Sequence, residues 1–507
     1  MFTNVTQYLD RSAKYHPEKV AFADENNCIT FFELYKKSRE LAKRIISVSN
    51  GHKRLPVAVY LPNCVMCVEC FLAVAYSGNF YSPIDTVMPI ARLEKVFQSL
   101  EPAIVLTNTA NIKKIIELNL SIPIINTDEP TESTVSDKCL HSIVNGSIDT
   151  DPLFVMFTSG STGIPKGVVI SHRSVINFTE IASEILPISE RTVFGNQSPL
   201  YFDISVLEIY ATLRNAAKLV IMPSKLIVFP IEILRYLDEM DVNTVFWVPS
   251  ALALIQDADA MKNYVPQKLN TIFFAGEVMH NKILNYWRKH LPQAVYVNLY
   301  GPVEITVDCT YYIVDREFLD DEPLPIGIPF KNADIIVLNE DGNLVAGDEL
   351  GELCVRGTGL SLGYYGNNEK TNMAFAQNPM NTKFPEKIYR TGDLVRYNAR
   401  GELMFVGRKD YQIKHMGQRI ELGDIEAAAF GYNEVTGSCT LYDSVQKRII
   451  LFCTPDKLDK KALYRQLKQN LPNYMLPAHI ETIQNFPLNP NGKIDRKALF
   501  ENYCKGL

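Results

Sequence analysis

Short apolar runs rich in β-branched residues recur along the chain. Between them lie longer stretches in which apolar residues return every three or four positions. Residues 57–61 (VAVYL), 103–107 (AIVLT), 218–222 (KLVIM), 244–248 (TVFWV) and 333–338 (ADIIVL) read as strands, and residues 30–45 (TFFELYKKSRELAKRI) read as an amphipathic helix. Their alternation predicts an α/β protein with wound, mostly parallel sheets. After about residue 325 the texture changes to short strands and Gly-containing turns (GIPF, NEDGNL, GDELGELCVRG, NARGELMFVG), which predicts a β-rich subdomain over about 325–409. Residues 410–507 carry strand and helix signals of their own (RIILFCTP, KKALYRQLKQNL). The expected organisation is a large domain over 1–409 and a small mobile α+β domain over 410–507.

Composition narrows the function classes. A hydrophobic share of 47% over 507 residues supplies core for several domains, about three at roughly 150 residues each. The net charge of −6 (51 basic against 57 acidic residues) comes without blocks of either sign, which argues against a nucleic-acid partner. The first nineteen residues lack the apolar core of a signal peptide. The longest uncharged apolar stretch, near 245–255, falls short of the roughly 20 residues a membrane span needs, so a cytoplasmic protein with no membrane partner is expected. Ten cysteines in so long a chain suit reduced thiols. Cys64, Cys67 and Cys70 have a C-x2-C-x2-C spacing, but CVMCVECFLAVAY reads as a buried helix with cysteines as small core residues.

The stretch richest in chemistry is residues 157–167, FTSGSTGIPKG, which follows the apolar run LFVM. Its three glycines let backbone amides approach a ligand, and its four hydroxyls and Lys166 add donors suited to phosphate oxygens. The spacing is not that of the nucleotide-kinase P-loop. The string resembles the phosphate loop of the acyl- and aminoacyl-adenylate-forming superfamily, which includes peptide-synthetase adenylation domains, acyl-CoA synthetases and luciferases. Further segments match in the family's order over nearly the whole chain: YSPID (81–85), NLYGPVE (298–304), YRTGD (389–393), GRKD (407–410), LPNYMLP (471–477) and NGKID (491–495).

That resemblance implies ATP and Mg²⁺ as cofactors and assigns roles by position. Thr158, Ser159, Gly160, Ser161, Thr162, Gly163 and Lys166 would hold the leaving phosphates, and Glu304 would ligate Mg²⁺. Tyr300 would stack on adenine with Gly276 nearby, and Asp393 would accept from the ribose hydroxyls beside Arg408. Lys493 would reach from the small domain to the substrate carboxylate and α-phosphate, and Asp410 would be the hinge. Val303 stands where the family usually has threonine. His415 and Met416 depart from the pattern near Gly417.

The segment YFDISVLE (201–208) resembles the mark of amino-acid activators, in which the aspartate, here Asp203, pairs with the substrate ammonium. The remaining pocket positions become Ile204, Leu207, Trp247, Phe273, Ala275, Leu299, Val307 and Asp308. Trp247 and Phe273 are expected to fill most of the volume, and Asp308 to read a hydroxyl or amine. Serine or a short diamino acid is the expected substrate, with glycine or alanine next. The expected partner is a separate phosphopantetheinylated carrier protein in trans, and the expected state a monomer. The alternatives are an acyl- or aryl-CoA ligase, or a non-catalytic adenylate-binding homologue. The length also resembles D-alanine–carrier protein ligases, although Ala275 replaces the cysteine expected there.

Overall fold

A computed structural model describes residues 2–130, 133–159, 165–488 and 494–506. The chain divides into two compact units. The first comprises Met1–Thr86, Glu101–Met156 and Gly167–Lys409; the second comprises Val87–Leu100, Phe157–Lys166 and Asp410–Leu507. The last segment of the second unit begins at Asp410. Sequence reasoning did not anticipate that two earlier segments, one of them carrying the Gly/Ser/Thr loop, group with the C-terminal residues.

In the first unit a nine-stranded sheet runs in the order Ile328–Pro329, Thr310–Ile313, Val295–Tyr300, Thr271–Phe274, Thr244–Trp247, Val193–Asn196, Lys218–Ile221, Val20–Ala23, Cys28–Thr30. The six strands from Val295–Tyr300 to Val20–Ala23 are parallel, and antiparallel strands close both edges. In a second sheet Phe80–Pro83, Pro56–Tyr60, Ile104–Thr107 and Ile124–Asn126 are likewise parallel. Strands buried on both faces read as continuous apolar runs, which is why VAVYL and TVFWV lack alternation.

Helix Ile204–Asn215 is buried at every position from Ile204 to Leu213, and its Tyr210 hydroxyl meets the Tyr81 hydroxyl of the second sheet at 2.9 Å. Helix Val65–Tyr76 is apolar on nearly every face apart from Glu69; its Cys67 and Cys70 are buried, and burial pushes both thiols up in pKa, as suits inert core residues. Helix Phe31–Val48, by contrast, is amphipathic and opens with a complete capping box between Thr30 and Glu33.

An antiparallel sheet of five strands, Ala333–Leu338, Gly351–Gly357, Lys387–Tyr397, Phe375–Gln377 and Leu403–Arg408, makes up the β-rich part of the first unit. In the second unit the hairpin Gln412–His415/Gln418–Glu421 turns through Met416 and Gly417, both with positive φ. A three-stranded sheet (Gly437–Asp443, Arg448–Thr454, His479–Thr482) follows, with helices Leu422–Phe430 and Lys460–Asn470 around its own buried core. Among the described residues no helix is long and apolar enough to cross a membrane.

Candidate active site

In a parallel sheet, ligands bind beyond the carboxyl ends of strands whose connections leave towards opposite faces. Strands Val193–Asn196 and Thr244–Trp247 are such neighbours. The chain leaves Val193–Asn196 through helix Ile204–Asn215 to reach the strand on one side, and leaves Thr244–Trp247 through helix Pro249–Asp257 to reach the strand on the other. Right-handed crossovers then put the two helices on opposite faces. Side-chain contacts agree: Asn196 reaches Glu208 on helix Ile204–Asn215, whereas Trp247 packs edge-on against Trp287 at 6.5 Å.

Several of the expected substrate residues lie on the elements that border this crevice. Asp203 occupies the N-cap position of helix Ile204–Asn215, but its side chain does not cap the helix; the nearby Ser205 hydroxyl donates to the Phe202 carbonyl at 2.6 Å. Ile204 and Leu207 are buried on the same helix. A Cβ added at Gly276 would stand 3.5 Å from Val248 Cγ1 and 3.9 Å from Ile204 Cδ1, so the turn after Thr271–Phe274 closes on the helix start.

Strand register sorts the pocket residues by face. Phe246 pairs with Phe273 and Phe273 with Val297, so Phe273, Ala275 and Leu299 share the face on which Asn196 meets Glu208. Trp247 pairs with Phe274 on the opposite face, where its indole N–H donates to the Gly195 carbonyl at 2.8 Å. The two aromatics that volume reasoning paired are thus separated by the sheet, because side chains alternate along a strand. Trp247 is absorbed by the core against Trp287.

Past Tyr300 the chain turns tightly. Val303–Ile305 forms one 3₁₀ turn, and Thr306 and Val307 have positive φ. A Cβ at Gly301 would meet the Val307 carbonyl oxygen at 2.3 Å, so only glycine lets the strand end pack against the segment carrying Val307 and Asp308. Asp308 is 4% exposed, so it does not turn to solvent. Glu304 is fully buried and accepts from the Tyr364 hydroxyl at 2.8 Å, while its own carbonyl accepts from Ser361 N–H at 2.8 Å.

The residues expected on the nucleotide side meet at the antiparallel sheet. Asp393 pairs with Arg408 across adjacent strands, and the Arg408 guanidinium donates to its Oδ1. The Tyr300 hydroxyl donates to Asp393 Oδ2. Burial, then the Asp393 charge, push the Tyr300 phenol far above its ordinary pKa, so it stays a neutral donor. Beneath them Glu352 collects Arg390, the Gly392 N–H at 3.2 Å and Lys409 Nζ at 3.2 Å. Glu352 and Tyr364 were missed from sequence. The only trace was their place in the motif-like strings ELGEL and GYYG, where nothing specifies partners dozens of residues away.

The second unit holds Thr158, Ser159, Lys166 and Asp410. Thr158 Oγ1 is buried with no hydrogen-bond partner among the described residues. Ser159 Oγ donates to the Arg419 carbonyl at 2.7 Å and accepts from Glu421 N–H at 3.1 Å, and Lys166 Nζ lies 3.9 Å from Glu421 Oε1. Asp410 Oδ1 accepts from Gln412 N–H at 3.2 Å. Gly160, Ser161, Thr162, Gly163 and Lys493 lie outside the described residues.

For Mg²⁺, the chain offers hard oxygen donors without a ready-made cage. Glu304 supplies one buried carboxylate, and among the described residues no cluster of three or more His, Cys, Asp or Glu could hold an ion alone. One carboxylate with phosphate oxygens and water suits Mg²⁺.

Comparison with known proteins places this geometry. Residues 9–365 match the family model for AMP-binding enzymes. The chain is 30% identical over 505 residues to tyrocidine synthase 1 of Brevibacillus parabrevis, covering 98% of this chain but only 45% of that protein. It is 31% identical over 516 residues to the D-alanine–D-alanyl carrier protein ligase of Lacticaseibacillus casei (strain BL23), covering 98% of this chain and 99% of that one. The adenylation domain AlmE of Vibrio cholerae, solved with glycyl-adenosine-5′-phosphate, superposes with a TM-score of 0.84 at 20% identity, over 100% of this chain and 98% of that one, a likeness of fold. With the family model matching most of its length and a relative matching end to end, the chain belongs to the family of AMP-binding, adenylate-forming enzymes.

Proposed function

We propose that the chain activates a small polar amino acid with ATP and passes it to the phosphopantetheine thiol of a separate carrier protein. In the first step a carboxylate oxygen attacks the α-phosphorus, and the bond to the departing pyrophosphate breaks. In the second, the carrier thiol, losing its proton, attacks the acyl carbon and AMP leaves.

The observation that carries this reading is Asp203, a carboxylate at the switch-point crevice that does not cap its own helix. An ammonium group is the cation such a carboxylate would bind, and acyl-CoA or aryl-CoA ligases have no use for it. Asp203 fixes the ammonium end of the substrate, and Ile204, Leu207, Phe273, Ala275, Leu299 and Val307 form the apolar lining around its side chain. Asp308, buried one residue past Val307, is the candidate for reading a hydroxyl or amine on that side chain. With Trp247 turned to the other face, the limit on size falls to Phe273 and the helix start, which leaves room for serine or a short diamino acid.

Thr158, Ser159 and Lys166 bear donors for the departing phosphates, and the unpartnered Thr158 hydroxyl suits a phosphate oxygen. Asp393, Arg408 and Tyr300 form the ribose and adenine side. Glu304 would hold Mg²⁺, which when bound offsets the charge on the phosphate oxygens. Lys493, a point cation, is the candidate for the reacting carboxylate and α-phosphate. Asp410 is the candidate hinge. The end-to-end relation to a D-alanine–D-alanyl carrier protein ligase supports a carrier acting in trans.

The test is amino-acid-dependent ATP–pyrophosphate exchange over a panel that includes serine, glycine, D-alanine, β-alanine, diaminobutyrate and ornithine. Transfer is then compared with a phosphopantetheinylated carrier and with free CoA. Strong exchange with one small polar amino acid, followed by loading of the carrier, supports the proposal. Silence across the panel with turnover of a fatty or aromatic acid onto CoA overturns it.

A further inference from the structure

Helix Ile204–Asn215 contains one carboxyl group buried beyond reach of water. Glu208 is fully buried, one turn past Ile204 and adjacent to Leu207. Its Oε2 accepts from the Asn196 side-chain amide at 2.5 Å. Its Oε1 has no hydrogen-bond partner among the described residues. Desolvation raises its pKa to about 8, opposed only by the Asn196 bond, so it is a neutral acid at physiological pH. The chain keeps a polar group where a leucine would pack without that desolvation cost.

What the contact joins gives the reason. Asn196 ends the strand that borders the switch-point crevice, and Gly195 before it receives the Trp247 indole N–H. Helix Ile204–Asn215 carries Asp203, Ile204 and Leu207 at its start. The seven residues between strand and helix, 197–203, include no strand or helix that could hold the two in register. Apolar packing fixes the helix against the sheet but is non-directional and tolerates sliding, whereas a short hydrogen bond fixes both distance and orientation.

We infer that Glu208 is a positioning residue for the amino-acid site, its hydrogen bond to Asn196 setting where Asp203, Ile204 and Leu207 stand above Phe273 and Leu299. It touches no substrate and needs no negative charge. This rests on the reading of Asp203 as the ammonium-binding carboxylate.

The experiment is ATP–pyrophosphate exchange with Glu208→Leu, Glu208→Gln, Asn196→Leu and the Glu208→Leu/Asn196→Leu pair. Far-UV circular dichroism and the KM for ATP serve as controls on folding and on the nucleotide side. Glu208→Leu should raise the amino-acid KM about tenfold or more while kcat and the ATP KM stay within about threefold. Glu208→Gln, which keeps the acceptor and cannot ionise, should keep the wild-type KM. Asn196→Leu should reproduce the Leu phenotype, and the pair should cost no more than either single change, because one interaction is lost once. A wild-type KM in Glu208→Leu, or additive effects in the pair, overturns the positioning role. Loss of activity in Glu208→Gln as severe as in Glu208→Leu also overturns it and points to a need for the charge. Silence of the wild-type protein with every amino acid overturns the reading of the reaction itself, a result distinct from active variants with unchanged KM.

Discussion

Two sheets of the same unit position their candidate ligand residues by different physics. At the carboxyl ends of the parallel strands of the nine-stranded sheet, Asp203, Phe273, Ala275 and Leu299 are placed by strand register and a buried hydrogen bond. On the five-stranded antiparallel sheet, Asp393 and Arg408 are placed by charge: Glu352 gathers Arg390 and Lys409, and Asp393 gathers Arg408 and Tyr300. In the first, Phe273, Ala275, Leu299 and the Glu208–Asn196 bond are buried from water and salt, and Asp203 is half-buried. The second has half-exposed cations and is open to screening. Tyr300 belongs to both, ending a strand of the parallel sheet with its hydroxyl on Asp393.

The largest expected effect tests the buried side. Below its ordinary pKa of 4.5, Glu208 carries its proton whether folded or unfolded. Between 4.5 and about 8 the unfolded chain releases the proton while the native state retains it, so stability falls as pH rises, then levels off. Glu208→Gln escapes this loss. It should be more stable than the wild type by as much as about 5 kcal/mol above pH ~8 and indistinguishable near pH ~4, as read from denaturant midpoints at the two pH values. Equal midpoints at high pH would mean that the carboxyl is not buried as described.

Next in size is Asp203→Ala. With Asp203 as the ammonium-binding carboxylate, kcat/KM for the amino acid should fall at least about a hundredfold, roughly 3 kcal/mol, with the KM for ATP unchanged. A parallel loss of thermal stability would assign Asp203 a structural task instead.

On the charge-built side, Glu352→Ala strips Arg390 and Lys409 of their shared acceptor. Both cations are about 41% exposed, so water compensates in part and the cost to stability should be about 1–2 kcal/mol, with a rise in the KM for ATP and none for the amino acid. Titration calorimetry with an ATP analogue would check the selectivity of that effect.

The smallest change is Tyr300→Phe, which removes the bridge between the sheets and leaves Asp393 with Arg408. A loss of about 1 kcal/mol, near fivefold in the KM for ATP, is expected. An effect on the amino-acid KM of the same size would show that the two regions are coupled through this hydroxyl.

Much of this could be read along the chain. The strands at 57–61, 218–222 and 244–248 and the helices at 30–45 and 64–76 declared themselves by periodicity and apolar runs, because burial selects side chains locally. Asp203, Glu304, Asp393 and Arg408 could be singled out as candidates because motif spacing is itself a local property. Glu352, Tyr364 and Glu208 were not recognised, because their partners lie on other strands and helices, and nothing in ELGEL or SVLE names them.

The sequence by itself determined the fold class, the family and the identity of the candidate reacting groups, since each depends on residue type and spacing within short windows. Only the tertiary structure decided which face each pocket residue occupies, sending Trp247 to the core and leaving Phe273 at the crevice, because strand register is set by pairing between distant segments. Only it showed Ser159 and Lys166 meeting Arg419 and Glu421, some 260 residues away along the chain. Such contacts follow from how the chain closes on itself, and the closure entropy they overcome has no signature in any short stretch of residues.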